Sequence, residues 1–304
     1  LFRSSIETIN IEGQIKRVNN NLFSGCEHLK SITLPQSVTY IGNEAFKGCI
    51  AMETAELPEV LSEINVNAFE DCRNLREIQL NVVTAISSEA FKGCSSIERF
   101  KVDNLKRMGP SAFQNCLSLK EISLDGNLPT ISAESFSGCT SLSSVILPDG
   151  IRTIGKRAFA DCKSIEDIKL PASLARIDDE AFNQCSSLKN IYIPKLTKKM
   201  GRGIFENCIS LDSVNIEGFV EELDDRVFRN CHSLRVILLP VSIKGVGDNA
   251  FEQCSSLYAI DLPISCSEIG DNAFEKCSSL TTMIIPAACT EIGSAAFREC
   301  SGLS

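Results

Sequence analysis

The sequence predicts an α/β repeat solenoid, mostly β, of about thirteen coils with 22–23 residues each. Three observations predict it: a Phe-x-x-Cys pair returning at a fixed interval, a period-2 apolar segment between pairs, and Pro or Gly at fixed places. The pairs are Phe23/Cys26, Phe46/Cys49, Phe69/Cys72, Phe91/Cys94, Phe113/Cys116, Phe136/Cys139, Phe159/Cys162, Phe182/Cys185, Phe205/Cys208, Phe228/Cys231, Phe251/Cys254, Phe274/Cys277 and Phe297/Cys300. Ten intervals are 23 residues and two are 22. A constant period in the twenties marks stacked supersecondary units, none able to bury its apolar face alone. A chain of 304 residues would ordinarily suggest two domains. The repeat instead predicts one solenoid domain over 1–304.

Each coil reads in the same order. Leu29 to Leu34 ends in apolar/polar alternation with β-branched residues, the pattern of a half-buried strand. Pro35 closes it, because Pro lacks the N–H a ladder needs; Pro58, Pro148, Pro171, Pro194, Pro240, Pro263 and Pro286 repeat the stop. Val38 and Ile41 mark a second inward-facing extended stretch. Gly42, Gly155, Gly201, Gly247, Gly270 and Gly293, with Asn65, Asp178 and Asp224 elsewhere, predict a sharp corner at positive φ. Ser87 and Ser132 fit that corner less well. Ala-Phe-x-x-Cys then has the spacing of a single helical or 3₁₀ turn. The coils Leu80–Phe91 and Val102–Phe113 lack the Pro and are one residue short, as a tolerant loop allows. Ile6, Ile9 and Ile11 extend the frame backwards by one coil.

Composition narrows function by exclusion. The chain is 43% hydrophobic and 23% charged, with a net charge of −9 and no clustered basic residues. That argues against a nucleic-acid or anionic-lipid surface. No apolar run approaches the length of a membrane span. The chain opens at Leu1 without Met and closes at Ser304 just after a Phe-x-x-Cys, so it reads as a piece of a longer protein.

The 15 Cys invite a disulfide or metal reading. Stacked equivalents sit about 4.8 Å apart with parallel side chains, a poor match to the roughly 3.8 Å Cβ separation of a disulfide. Zinc sites usually offer close Cys pairs, and every column Cys is some 22 residues from the next. Cys266 and Cys289 stand where Val38 and Ile151 stand in other coils. All fifteen are therefore expected to be buried small hydrophobes.

Segments such as LKSITLPQSVTYIGNEAFKGC closely resemble the leucine-rich repeats of the BspA-like (Treponema pallidum) class, over essentially all 304 residues. The resemblance implies a leucine-rich-repeat arc with its parallel β-sheet on the concave face. It also implies a surface or secreted protein, of bacteria or some protozoan parasites, that adheres to host or matrix proteins. The commoner leucine-rich repeat places Asn where this chain has Ser37, Val60 or Ser173, so no asparagine ladder is expected.

Catalysis finds little support. His28 and His232 are the only histidines, and Cys231 and His232, as sequence neighbours, are expected to point in opposite directions. The glycines form no phosphate-cradling motif. Asp178-Asp179, Glu221-Glu222 and Asp224-Asp225 read as solvated turn residues, not as a calcium loop. No catalytic, cofactor-binding or metal residue is expected. What remains is surface, polar or charged early in the chain and apolar late. The expected partner-binding residues are Tyr192, Val236, Leu238, Tyr258 and Ile284. The reading is a non-enzymatic protein-binding or adhesion module at the cell surface or secreted, with a host or matrix protein as partner. No nucleic acid and no membrane insertion are expected. The alternative is an intracellular, cytoplasmic scaffold or regulatory protein, consistent with reduced thiols and with 19 Asn that all escape the glycosylation sequon.

Overall fold

In the computed structural model, which describes residues 5–80 and 82–303, successive coils within each of two compact units are hydrogen-bonded along three sides. Leu1 and Ser304, read above as cut ends, lie outside the described residues. The chain falls into two compact units, Leu1–Gly150 and Ile151–Ser304. In the first, strands Thr8–Asn10, Ser31–Thr33, Thr54–Glu56 and Glu77–Ile78 form one parallel sheet, and Arg99–Val102, Glu121–Leu124 and Ser144–Ile146 another. In the second, Asn190–Ile193, Ser213–Ile216 and Val236–Leu238 pair in the same way, and Ala259 bridges Thr282. The register is one coil, for example Ile9 against Ile32 and Ile32 against Ala55.

A second ladder of two-residue strands follows the Pro. It includes Glu63–Ile64, Ala85–Ile86 and Arg107–Met108 in the first unit. In the second unit Glu222–Leu223, Gly245–Val246, Glu268–Ile269 and Glu291–Ile292 stack in order. The Pro carbonyl starts a tight turn into this stretch, accepting from Val38 at 3.0 Å after Pro35 and from Thr197 at 2.9 Å after Pro194. Pro thus ends the strand and shapes the bend. This is a solenoid of parallel strands, as the repeat predicts.

The third side differs from the expected helical turn, and no described residue is helical. The i→i+3 bonds are present, from Ala45 to Gly42, Lys47 to Glu44 and Cys49 to Phe46. The residues between them donate to the next coil instead: Glu44 to Val66 at 2.9 Å, Phe46 to Ala68 at 2.9 Å and Gly48 to Glu70 at 2.7 Å. Glu44 and Gly48 have φ of 55° and 71°, and the equivalents of both positions are left-handed throughout each unit. A left-handed residue without Gly costs about 1–2 kcal/mol. An unmade buried N–H costs about 1–3 kcal/mol, so aiming that N–H along the stack is the better compromise.

The core is laid down in columns. Ring centroids of successive Phe are 5.1–5.7 Å apart and nearly parallel in both units. Phe46 through Phe274 are fully buried, each worth roughly 1.5–3 kcal/mol. None of the fifteen Cys, all of them described residues, forms a disulfide. The column thiols do more than fill space: in both units Sγ–H groups donate to the carbonyl of the Phe one coil back, at 3.1 Å from Cys49 to Phe23 and 3.2 Å from Cys208 to Phe182. Burial pushes the thiols of Cys72, Cys185, Cys208, Cys231, Cys254 and Cys277 upward, which keeps them protonated donors. Cys289 departs from the expectation of burial and is half-exposed.

The corner glycines need a different explanation from the one their sequence suggests. Gly42, Gly201, Gly247, Gly270 and Gly293 are not at positive φ; the left-handed residue lies two positions later. They are constrained by contact. A Cβ on Gly247 would lie 2.7 Å from the backbone nitrogen of Asp225, and one on Gly270 2.7 Å from that of Asp248. Gly245, two residues before Gly247, has nothing within 4 Å of its Cβ position. Gly247→Ala or Gly270→Ala is therefore expected to lower stability by about 1–3 kcal/mol in urea unfolding. Gly245→Ala is expected to stay within about 0.5 kcal/mol of the parent.

Candidate functional site

The three strands Asn190–Ile193, Ser213–Ile216 and Val236–Leu238 set the geometry of the candidate surface. Their period-2 alternation sends Ile191, Val214 and Ile237 into the core and leaves Asn190, Tyr192, Val236 and Leu238 exposed. The register places Tyr192 beside Asn215 and Asn215 beside Leu238, while Asn190, Ser213 and Val236 form the neighbouring row. Together with Asp167, Lys169, Pro194 and Leu196 they line an open, mostly apolar groove of about 900 Å³. Three of the expected partner-binding residues, Tyr192, Val236 and Leu238, thus share one depression. The Tyr192 hydroxyl donates to Glu217 Oε2 at 2.7 Å, which holds the ring over the groove edge and pushes the phenol pKa above its usual value.

The other two expected residues lie outside that groove. Tyr258 belongs to the column one residue before the strands, where Glu166 pairs with Lys189 at 2.6 Å and Asp212 pairs with Arg235. Tyr258 continues this charged column without a charge and is 53% exposed. Ile284, 80% exposed, is two coils beyond Leu238, with Asp261 at the intervening position. Val241 and Ile264, at 84% and 89%, are more exposed than any residue singled out from the sequence. They directly follow Pro240 and Pro263, where other coils carry Gln36, Glu59 or Asp149. That substitution of aliphatic for polar was a readable signal. Leu196 in the groove was likewise missed.

The remaining polar clusters are structural. Asp225 Oδ1 accepts the Asp248 N–H at 3.2 Å, Asp248 Oδ1 accepts the Asp271 N–H at 2.8 Å, and Asp179 Oδ1 accepts from Arg202 at 3.1 Å. These carboxylates satisfy main-chain donors of the next coil instead of being merely solvated. In place of an asparagine ladder, the Ser37, Ser173 and Ser242 hydroxyls donate to carbonyls one coil back at 2.6–2.7 Å. Cys231 is buried while His232 is exposed, its Nδ1 2.9 Å from the Gln253 carbonyl. Among the described residues, no group of three His, Cys, Asp or Glu is arranged to hold a metal, and no helix is long and apolar enough to cross a membrane.

A parallel-strand solenoid of repeated 22–23-residue coils with a groove open to solvent is a leucine-rich-repeat scaffold, a class that binds other molecules over a broad surface. The model of the BspA type leucine-rich repeat region matches residues 2–120, 106–235 and 221–304, and the chain belongs to that family. It is similar to a leucine-rich repeat protein from Bacteroides ovatus, with 30% identity and a TM-score of 0.81 over 98% of this chain and 85% of that one. A leucine-rich repeat protein from Eubacterium ventriosum shares the fold at 18% identity and TM-score 0.59, covering 97% and 82%. A leucine rich cell surface protein from Faecalibacterium prausnitzii does so at 23% and 0.51, covering 99% and 87%. No curated protein matches the chain significantly.

The Glu217 contact gives the groove a spectroscopic handle, since the chain has 3 Tyr. In an ultraviolet pH titration, one tyrosine is expected to ionise above the usual phenol range. Tyr192→Phe is expected to remove that step, and Glu217→Gln to bring it down towards the ordinary value, because the neutral amide no longer favours the protonated phenol.

Proposed function

We propose that this chain is a non-enzymatic, protein-binding and adhesion module of a cell-surface or secreted protein. It holds its partner on the strand face of residues 167–238 and the apolar positions that follow. The observation that carries this reading is the replacement of polar by apolar residues at outward positions. Tyr192, Val236, Leu238, Tyr258, Val241, Ile264 and Ile284 are all exposed. Large apolar side chains left in water at several neighbouring rungs are unfavourable alone and favourable under a partner. The charged column of Glu166, Lys189, Asp212 and Arg235 borders the patch. Such exposed pairs contribute little to stability and suit a polar rim. A surface location is supported by the description of the Faecalibacterium prausnitzii relative as a cell surface protein.

The test is capture on an array of extracellular-matrix and serum proteins, followed by titration of each hit. Leu238→Asp and Tyr258→Ala are each expected to weaken binding at least about tenfold, the loss of roughly 1.4 kcal/mol. Circular dichroism melts are expected to stay unchanged, since both side chains are exposed. Parental affinity in both variants removes the strand-face reading.

A further inference from the structure

The thiols of Cys266 and Cys289 are not explained by the column that accounts for the other thirteen. They occupy equivalent positions in successive coils, 23 residues apart, just before strands Glu268–Ile269 and Glu291–Ile292. Those strands pair in parallel with Glu268 against Glu291 and Ile269 against Ile292. The Thr290 N–H donates to the Ser267 carbonyl at 2.9 Å. The two cysteines are therefore held about one coil apart, roughly 4.8 Å, inside the span of about 4.4–6.8 Å over which Cα atoms accept a disulfide.

Two features separate this pair from the column. Cys289 is the one thiol of the fifteen that is not buried. The sulfurs are less committed: Cys266 Sγ is 3.6 Å from the Glu268 carbonyl and Cys289 Sγ 3.4 Å from the Glu291 carbonyl, against 3.1 Å for Cys254's neighbour Cys231 on the Phe205 carbonyl. As in the column, neither cysteine amide bonds to the adjacent coil. Each closes a turn on its own Pro, at 2.9 Å to Pro263 and 2.9 Å to Pro286. The Cβ atoms need to close by about 1 Å to reach disulfide geometry, and the bond from Thr290 to Ser267 keeps the two coils in register while they do.

We propose that Cys266 and Cys289 form an oxidisable dithiol that closes to a cross-coil disulfide on exposure to a low-molecular-weight disulfide. The accessible Cys289 thiolate attacks one sulfur of the reagent, forming a mixed disulfide and releasing one thiolate. Cys266 then loses its proton to water and attacks Cys289 Sγ, releasing the second. Two protein thiols are oxidised by two electrons and one small disulfide is reduced to two thiols. Burial raises the Cys266 thiol pKa, which makes Cys289 the entry point. The product ties the last two described Pro-turns of the second unit together, and chain cross-linking of this kind restricts unfolding.

The experiment incubates the full 304-residue chain with glutathione disulfide at mildly alkaline pH, alkylates residual thiols without denaturant, and maps peptides by mass spectrometry. The expected result is one Cys266–Cys289 linkage, lighter by two hydrogen atoms, with the thirteen column thiols alkylated only after denaturation. Its thermal midpoint is expected to rise and to fall back on reduction. Cys266→Ser is expected to stop at a stable glutathione adduct on Cys289, and Cys289→Ser to leave Cys266 unmodified. A stable adduct on Cys289 in the parent chain, a Cys289–Cys289 dimer, or no reaction overturns the proposal.

Discussion

Hydrogen bonding between coils along the Phe-x-x-Cys turn is the constraint on which the rest of the structure rests. Alternate residues there bond within their own coil and to the next, and this alternation needs a left-handed residue on each side of the Phe. It fixes the repeat length, since a coil must return each N–H to a carbonyl one rung away. It also fixes the Phe rings at 5.1–5.7 Å, in offset-stacking range. The choice of Cys follows from the same turn. The Phe23 carbonyl accepts the Cys26 N–H at 3.1 Å and still has a lone pair facing the core, which Cys49 Sγ–H fills. Ala would leave that acceptor half-satisfied, and a larger apolar residue would not fit beneath the next ring.

With inward positions committed, only outward positions are free to vary, and their content changes along the chain. Coils of the first unit carry Glu7 with Lys30 and Glu98 with Lys120 beside the strands, at 2.8 and 2.9 Å. In the second unit the same column passes from Lys189 and Arg235 to Tyr258. The strand alternation does not require this change, because Val236 and Leu238 stand at the same outward positions as Ser31 and Thr33. An outward Leu loses apolar hydration free energy unless something covers it, whereas an outward Thr does not. The fold tolerates both.

The strand, the Pro stop and the inward apolar positions were legible because each has a single physical cause that residue type alone reports. The corner was harder. Gly serves either for positive φ or for close approach, and sequence cannot separate the two. At Gly247 and Gly270 close approach is the reason, while the left-handed positions hold Glu44, Arg157 or Asn249. The turn spacing misled similarly, because i→i+3 bonds occur in a 3₁₀ turn and in this alternating ribbon alike. In the candidate site Tyr192, Val236 and Leu238 followed from strand alternation. Val241 and Ile264 follow Pro, outside the strands, where only comparison of one coil position through all its copies would single them out. The grouping of Tyr192, Val236 and Leu238 into one groove, apart from Ile284, depends on cross-strand distances that a one-dimensional pattern does not contain.

Because each coil touches only its neighbours, local features of a solenoid are decided locally. The groove is built by side chains from Asp167 to Leu238, and the oxidisable pair lies at Cys266 and Cys289. No core residue is common to both. A disulfide between the latter changes the spacing of its own coils first and reaches the groove only through the intervening Phe and Cys columns. In those columns Phe228, Phe251 and Phe274 are fully buried and each rung is bonded to the next. A cross-link there therefore acts first on how readily its own two coils unstack.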